Sequence, residues 1–521
     1  MGEPRRGSPG SWQYLALWDE AGSIDLEATL ATLPASDRDA AGMIAGLWPD
    51  QIFYVPGDKQ WYLWDGQQLR PDSSNAIIRW IDLFTRMLDK VFEAAGRQIM
   101  AEETAKLPGD PARAGDEASK RWAGWEKSPQ YKYAHGLRGK AAASLRERLA
   151  GPRGVGPEEL AERHPGLLNT VTCVVNLNPA EGEPPAYRHD PALRMTYCVP
   201  TPWPGPVPGG ASPLAGCPEY AQMLARAVNY DEEVFWFLIK VLGYSLLGDN
   251  RLQLIFFMTG DTNNGKSKLL EVVSTVLGDQ LSYEAKPPLV CQENPHSRHE
   301  ATLRGKRLVT LDETSEQLQL ATNQVKRLTG QSHYSVELLY DKTMTKTPVT
   351  WLFIIPNNQM PTIADLDAAM KRRSWVLPMG PTIPEWERDP QIVPRIVATE
   401  ASGVLGLLVW GCRQALENNG RALLLPPAAV VAKTEEYQVQ QDTVGRWLAE
   451  RCLAANGSSP QVEGRHAKAD YYEWCKETEV VAPVGPQAFF GKLGMVPGVV
   501  RGGDPHHVWF RGFILKHERM D

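Results

Sequence analysis

The run Gly260-Asp261-Thr262-Asn263-Asn264-Gly265-Lys266-Ser267 has the residue types and spacing that hold a polyphosphate. Two glycines bracket four residues, and a lysine and a hydroxyl follow, as in G-x-x-x-x-G-K-[ST]. Backbone N–H groups and the N-terminus of the next helix would hold a β-phosphate, with Lys266 reaching the β/γ-phosphates and Ser267 ligating Mg²⁺. Gly260 through Ser267 and the adjoining Lys268 are therefore the candidate nucleotide-binding residues. Such a loop alone fits a kinase, a switch, a pump or a motor.

Three later stretches carry groups that could act on the bound phosphate. "KRLVTLDETSE" (Lys306 to Glu316) sets Asp312-Glu313 after an apolar strand, which suits a metal shell at Asp312 and water activation at Glu313. "TWLFIIPNNQMP" ends its apolar run in Asn357-Asn358, where an amide could hydrogen-bond the attacking water and sense the γ-phosphate. "DLDAAMKRRSWVLPM" sets Arg372-Arg373 before another apolar run, where a fixed cation could reach a phosphate across a subunit boundary. Taken singly, these are also an acidic turn, an Asn turn and a solvated helix end.

The elements that must position them are legible. "LQLIFFMTG" is the strand that delivers the loop, and "SKLLEVVSTVLG" puts apolar residues at 269, 270, 273, 276 and 277, one buried helix face. "SVELLYDKTMTKTPVTWLF" alternates like a hairpin whose turn carries Lys342 and Lys346, either cations for a nucleic-acid backbone or an ordinary charged tip. Lys326 and Arg327 lie at the end of the preceding helix. Upstream, "IFYVPGDKQWYLWDGQQLRPD" reads as aromatic strands joined by tight turns, Asn75 to Gly96 as an amphipathic helix, and Tyr230 to Gly248 as an apolar helix capped by Asp231. Near the C-terminus, two amphipathic helices, a third from about 486 to 494 and a two-stranded wing have winged-helix spacing. Lys492, Arg501, His506, His507 and Arg511 could touch DNA there, or the unit could dock a partner. His506-His507 reads as a turn, because no cysteine or carboxylate pair completes a tetrahedral metal set.

Composition narrows the classes. The 521 residues are 43% hydrophobic with a net charge of −7, so nucleic-acid binding would need local basic patches rather than a global field. The seven scattered cysteines include no CxxC pair, which predicts reduced thiols. There is no apolar leader segment and no run of 18 apolar residues, so neither secretion nor a membrane partner is expected.

Taken together, these stretches resemble the superfamily 3 helicases, specifically the phage/plasmid primase–helicase family with its poxvirus-type relatives. The resemblance is carried by "GDTNNGKS", "RLVTLDET", "VKRLTGQSHYSVELLYDK" and "NNQMPTIADLDAAMKRRSWVLP", and covers roughly residues 45 to 445. Gln331-Ser332 depart from the family's usual Gly-Asp, and Asp341-Lys342 follow Tyr340. Aligning N-x-x-P makes Asn358 the sensor. The resemblance implies an α/β fold with an AAA+/RecA-like P-loop ATPase core, a helical N-terminal domain and a C-terminal winged-helix-like domain. The implied boundaries are a tail to residue 45, an N-terminal domain at 46–250, a motor at 251–380, a helical segment at 381–445 and the last domain at 446–521.

It also implies a homo-hexameric, ATP- and Mg²⁺-dependent helicase on single-stranded or forked DNA, working in phage or mobile-element replication with a polymerase or separate primase, in a cytoplasm. ATP would sit between subunits. Lys266, Ser267, Asp312, Glu313 and Asn358 would come from one subunit, Arg373 and Arg372 from the next, and Lys326, Lys342 and Lys346 would face DNA. About 45 residues precede the family-like region, too few for a primase domain, so no intrinsic primer synthesis is expected. The alternative is an ATP-gated initiator or loader that binds DNA without unwinding it; a small-molecule kinase would leave the hairpin unexplained.

Overall fold

The computed structural model describes residues 26–516 except 57–58, 138–141, 152–153, 155–163, 294, 296, 312–317, 331–332, 338–343, 364–365, 417–423, 456–459, 481–482 and 505–506. The chain divides into two compact units. Described residues before His164 together with His189–Cys198 form the first; His164–Arg188 and the chain from Val199 onward form the second.

In the first unit, helices α1 (Leu26–Thr32) and α2 (Asp37–Leu47) precede an antiparallel sheet of β1 (Ile52–Val55), β2 (Gln60–Trp64) and β3 (Leu69–Pro71). The long α3 (Ile77–Lys106) follows, then α4 (Pro111–Glu126), α5 (Pro129–Gly136) and α6 (Ala142–Ala150). The start of α3 is set by Asp72, whose carboxylate accepts from the Ala76 and Ile77 amides at 2.6 and 2.9 Å. Ile77, Ile81, Phe84, Leu88, Val91, Ala95 and Ile99 then recur at helical spacing and form the spine of this unit's core.

The second unit begins with a small antiparallel sheet, β4 (Leu167–Asn169), β5 (Val174–Asn176) and β6 (Ala186–Tyr187), then α7 (Pro218–Ala227) and α8 (Glu232–Ser245). Asp231 caps α8 by accepting from the Val234 amide at 3.0 Å, as its sequence position predicts. The α/β core then runs β7 (Ile255–Thr259), α9 (Lys266–Leu277), β8 (Ser282–Ala285), α10 (Pro288–Cys291), α11 (Ser297–Ala301) and β9 (Leu308–Leu311). It continues through β10 (Gln319–Leu320), α12 (Thr322–Gly330), the antiparallel pair β11 (His333–Glu337) and β12 (Met344–Pro348), β13 (Leu352–Asn357), β14 (Thr362–Ile363), α13 (Ala368–Arg373) and β15 (Ser374–Pro378).

Five of these strands make one parallel sheet in the order β15-β7-β13-β9-β8. Covered on both faces, β7, β9 and β13 are buried at every position, which is why they read in sequence as unbroken apolar runs. The protein is thus mixed α/β with a parallel sheet.

Helix α14 (Ile392–Gln414) crosses α8 with backbone against backbone. A β-carbon on Gly243 would lie 2.2 Å from the Cys412 amide nitrogen, and one on Gly411 would lie 2.5 Å from the Ile239 carbonyl oxygen. Glu385–Gln414 is long and apolar enough to cross a membrane, and half of its apolar window is buried in this protein's own core. Helix α15 (Ala428–Gln441) follows.

A last cluster has its own core. It comprises α16 (Thr443–Arg451), β16 (Cys452–Ala454), β17 (Val462–Glu463), α17 (Gly464–Glu477), α18 (Pro486–Met495), β18 (Val500–Gly503), β19 (Val508–Arg511) and β20 (Phe513–Leu515). Trp447, Tyr471, Trp474, Phe489, Phe510 and Phe513 pack at its centre.

All seven cysteines are free thiols. Burial pushes the Cys217 and Cys412 thiols up to about 12 and Cys198 up to about 11. Only Cys173 and Cys291 are half-exposed. Iodoacetamide should therefore modify these two in the native protein and spare the other five until it is unfolded, as peptide mass mapping would show.

Candidate functional site

The loop between β7 and α9 leaves the sheet where the strand order reverses, with β15 on one side of β7 and β13 on the other, the position at which α/β sheets open a crevice. Its backbone demands explain its sequence. Gly265 has φ 92°, and Asn263 has φ 57°, a left-handed conformation that Asn tolerates better than most residues. A β-carbon on Gly260 would meet the Asn264 amide at 2.5 Å and the Met379 side chain at 2.9 Å.

Lys266 is the centre of the loop. Only 2% exposed, its Nζ donates to the Asn358 Oδ1 at 2.7 Å, the Asp261 and Gly260 carbonyls at 2.9 and 3.1 Å, and the Asn264 Oδ1 at 3.2 Å. The predicted sensor and the predicted phosphate-binding lysine are thus in direct contact. The reason lies in the sheet: β13 pairs with β7 so that Asn357 lies opposite Thr259, and Asn358 emerges level with the loop. Asn357 itself is buried and its Nδ2 has no hydrogen-bond partner among the described residues. Lys268 points away from the lysine cluster and pairs with Glu271 at 2.7 Å on the exposed side of α9.

Strand β9 lies beyond β13 and ends at Leu311, at the same C-terminal edge of the sheet as the loop; Asp312 and Glu313 follow it in sequence. Those two residues fall outside the described residues. A cleft of about 740 Å³ runs along α9 from Ser267 past Glu271 to Lys306, with Thr310, Leu311 and Pro356 on its sheet side. Burial lowers the Lys306 ammonium below its ordinary value, with Asp279 opposing that shift.

A strap after β15 laces onto the loop, a feature that the Pro/Gly-rich "PMGPTIP" announces only as a turn. The Asn264 Nδ2 donates to the Gly380 carbonyl at 3.1 Å, the Thr382 hydroxyl to the Thr262 carbonyl at 2.9 Å, and the Ile383 amide to the Asn263 carbonyl at 3.0 Å. Asn264, read from sequence as a nucleotide-binding position, therefore also fixes the loop's shape.

The remaining candidates are placed as follows. Lys326, on α12, pairs with Asp367, the residue that caps α13. Arg372 is exposed, whereas Arg373 is 8% exposed and donates to the Ala369 carbonyl and the Gln253 side chain, both at 2.9 Å. Lys346 lies within β12 opposite Ser335 rather than in the turn, because the hairpin pairs residue for residue from His333 and Pro348 to Glu337 and Met344. Lys342 lies outside the described residues, as does His506. In the last cluster Arg501 and His507 are exposed, and Arg511 stacks over Trp509 at 5.1 Å. Among the described residues, no group of three or more His, Cys, Asp or Glu side chains is arranged to hold a metal.

Comparison with known proteins bears on the other end of the chain. A family model described as "D5 N terminal like" matches residues 41–229. Residues 41–229 are a D5 N terminal like domain. This domain belongs to the N-terminal part of the primase–helicase family, the family that the motifs further on resemble. A protein of Acanthamoeba polyphaga mimivirus named "Putative helicase" is 27% identical over 158 residues, 29% of this chain and 16% of that protein. The chain thus matches only a small part of that relative's length. An apo structure of the NrS-1 C terminal region overlaps with a TM-score of 0.38 at 12% identity, covering 76% of this chain and 74% of that one. A shorter apo form of the same region gives a TM-score of 0.35 at 14% identity, covering 64% and 84%.

Proposed function

We propose that the protein is an ATP-driven motor on single-stranded DNA, acting as a ring in the replication of a phage or other mobile element. The observation that carries the reading is the 2.7 Å contact between the Lys266 Nζ and the Asn358 Oδ1 at the C-terminal edge of the parallel sheet. It joins a nucleotide-loop lysine to a polar group at the end of the neighbouring strand, and the strand beyond that is β9, which the acidic pair 312–313 follows in sequence. That strand order is the one expected of an AAA+-type core, in which the loop strand and the acidic strand flank the sensor strand. The last cluster's three helices and paired strands support a winged-helix reading.

The donor set suits a magnesium nucleotide. Lys266 already gathers four oxygens, so phosphate oxygens can replace carbonyl oxygens around a cation that is in place. The loop amides and the N-terminus of α9 would hold the β-phosphate, Ser267 and Asp312 would hold Mg²⁺, and Glu313 would take a proton from water. Mg²⁺, when bound, would neutralise charge on the β- and γ-oxygens. Asn358, released from Lys266, would orient the water. The arginines of α13 would serve the adjoining subunit's site, and the β11–β12 hairpin, with Lys346 in its second strand and Lys342 in the sequence that joins the two strands, would track the DNA backbone.

A strand-displacement assay on forked DNA tests this. ATP-dependent unwinding by the wild type, absent in Lys266→Ala, is the expected result. ATP-dependent DNA binding without unwinding by the wild type would replace the motor by a loader.

A further inference from the structure

Gln253 lies two residues before β7 with its backbone at φ 58°. Its side-chain amide ties two helices, α12 and α13, to the segment that enters β7. The Nε2 donates to the carbonyl of Gly330, the last residue of α12, at 3.0 Å. The Oε1 accepts from the Arg373 Nη2 at 2.9 Å and from the Arg372 Nη2 at 3.3 Å. The two arginines differ in what they could still do. Arg373 is buried, its Nη1 is taken by Ala369, its Nε has no hydrogen-bond partner among the described residues, and its Nη2 lies 2.8 Å from where a β-carbon on Gly330 would sit. Swinging it outward would break two hydrogen bonds and empty a packed site. Arg372 is exposed and held through one nitrogen.

Helix α13 carries both arginines and has only six residues, too few to hold itself steady. It is tied to α12 at both ends. At the start, the Asp367 Oδ1 caps the Met370 amide at 2.9 Å while the Oδ2 takes the Lys326 ammonium. Burial alone would raise the Asp367 carboxyl, but hydrogen bonds from Lys326 and the Met370 amide outweigh it and hold the group below its ordinary value. At the end, Gln253 clamps the arginines to the α12 terminus. Helix α12 in turn precedes the β11–β12 hairpin.

We propose that Gln253 is a positioning residue that aims Arg372, the one of the two α13 arginines left free to serve the adjoining subunit's site, with Arg373 as its buried anchor. This rests on the ring-motor reading. The shared acceptor on Gln253 fixes one Arg372 nitrogen and leaves the others to fork onto phosphate oxygens. The same amide grips the helix that leads into the hairpin, so hairpin position and arginine aim are mechanically joined.

The test uses the full chain with Arg372→Ala, Gln253→Leu, the double variant and Arg373→Ala. ATP turnover is measured alongside the dissociation constant for a fluorescent ATP analogue. Arg372→Ala should lose turnover roughly 10³-fold. Gln253→Leu should lose on the order of 10²-fold, the usual effect of misplacing a group by about 1 Å, with nucleotide affinity within about twofold of wild type. The double should be no slower than Arg372→Ala alone, since the two act through one group. Rings mixed from either single variant and Lys266→Ala subunits should regain turnover, because a Lys266→Ala subunit still offers an intact Arg372. Wild-type turnover in Gln253→Leu, losses that multiply in the double, or Arg372→Ala remaining active while Arg373→Ala is not, would each overturn this assignment alone. A wild type without ATP turnover would overturn the ring-motor reading and this assignment together.

Discussion

Lys266→Ala should lose ATP turnover by roughly 10³-fold, the upper end of what removing one preorganised charge-stabilising donor costs. The side chain is 2% exposed and already aimed, with four oxygens within 3.2 Å of its Nζ. Alanine would leave those oxygens lining the loop with no cation among them, and a polyphosphate would meet carbonyls instead of an ammonium. Binding should weaken as well, because on the proposed reading the lysine would contact both ground state and transition state. Turnover in a coupled assay, with circular dichroism to confirm the fold, checks this. A variant within tenfold of wild type would show that this loop does not serve catalysis.

The second large effect is on stability. Gly243→Val should destabilise the second unit by about 3 kcal/mol, the top of the range for overpacking. The atoms that the new side chain would meet are the Cys412 nitrogen, the Gly411 carbonyl carbon and the Leu408 oxygen. None of these can rotate away as a side chain could, so α8 and α14 would have to separate along their buried faces. Valine's better helix propensity offsets only a few tenths of a kcal/mol. A fall of about 4 °C in the thermal midpoint is expected for a unit of roughly 350 residues, whose unfolding entropy is about 2.1 cal/mol/K per residue. A midpoint within 2 °C of wild type would mean that the helices are not in backbone contact there.

The local chemistry was legible and the long-range placement was not. The loop, its delivering strand and the helix after it could be read because motif and periodicity agree over a few dozen residues. The buried strands β9 and β13 read as apolar runs for the same reason. Strand order could not be read, since pairing joins residues about a hundred positions apart, as Asn357 and Thr259 are. Arg372 and Arg373 are chemically identical in sequence, and only the packing of α13 against Gly330 and Gln253 makes one buried and the other free to act. Lys346 shifted from turn to strand because hairpin register depends on where pairing stops, which alternation does not mark. Gln253 gave no signal: it is one polar residue before a strand, and its partners come from two helices some 80 to 120 positions away.

The left-handed backbone of Gln253 has a consequence for how the protein tolerates change. A residue with a β-carbon held at φ 58° gives up on the order of 1 kcal/mol that glycine would not. Selection for stability alone would favour glycine there, so the position sets folding against the work of the side chain. Gln253→Gly and Gln253→Ala remove the same amide, and both should be slow, yet the glycine variant should melt higher by the equivalent of about 1 kcal/mol. If glycine and alanine melt alike, the backbone there is not under tension and the trade-off does not exist.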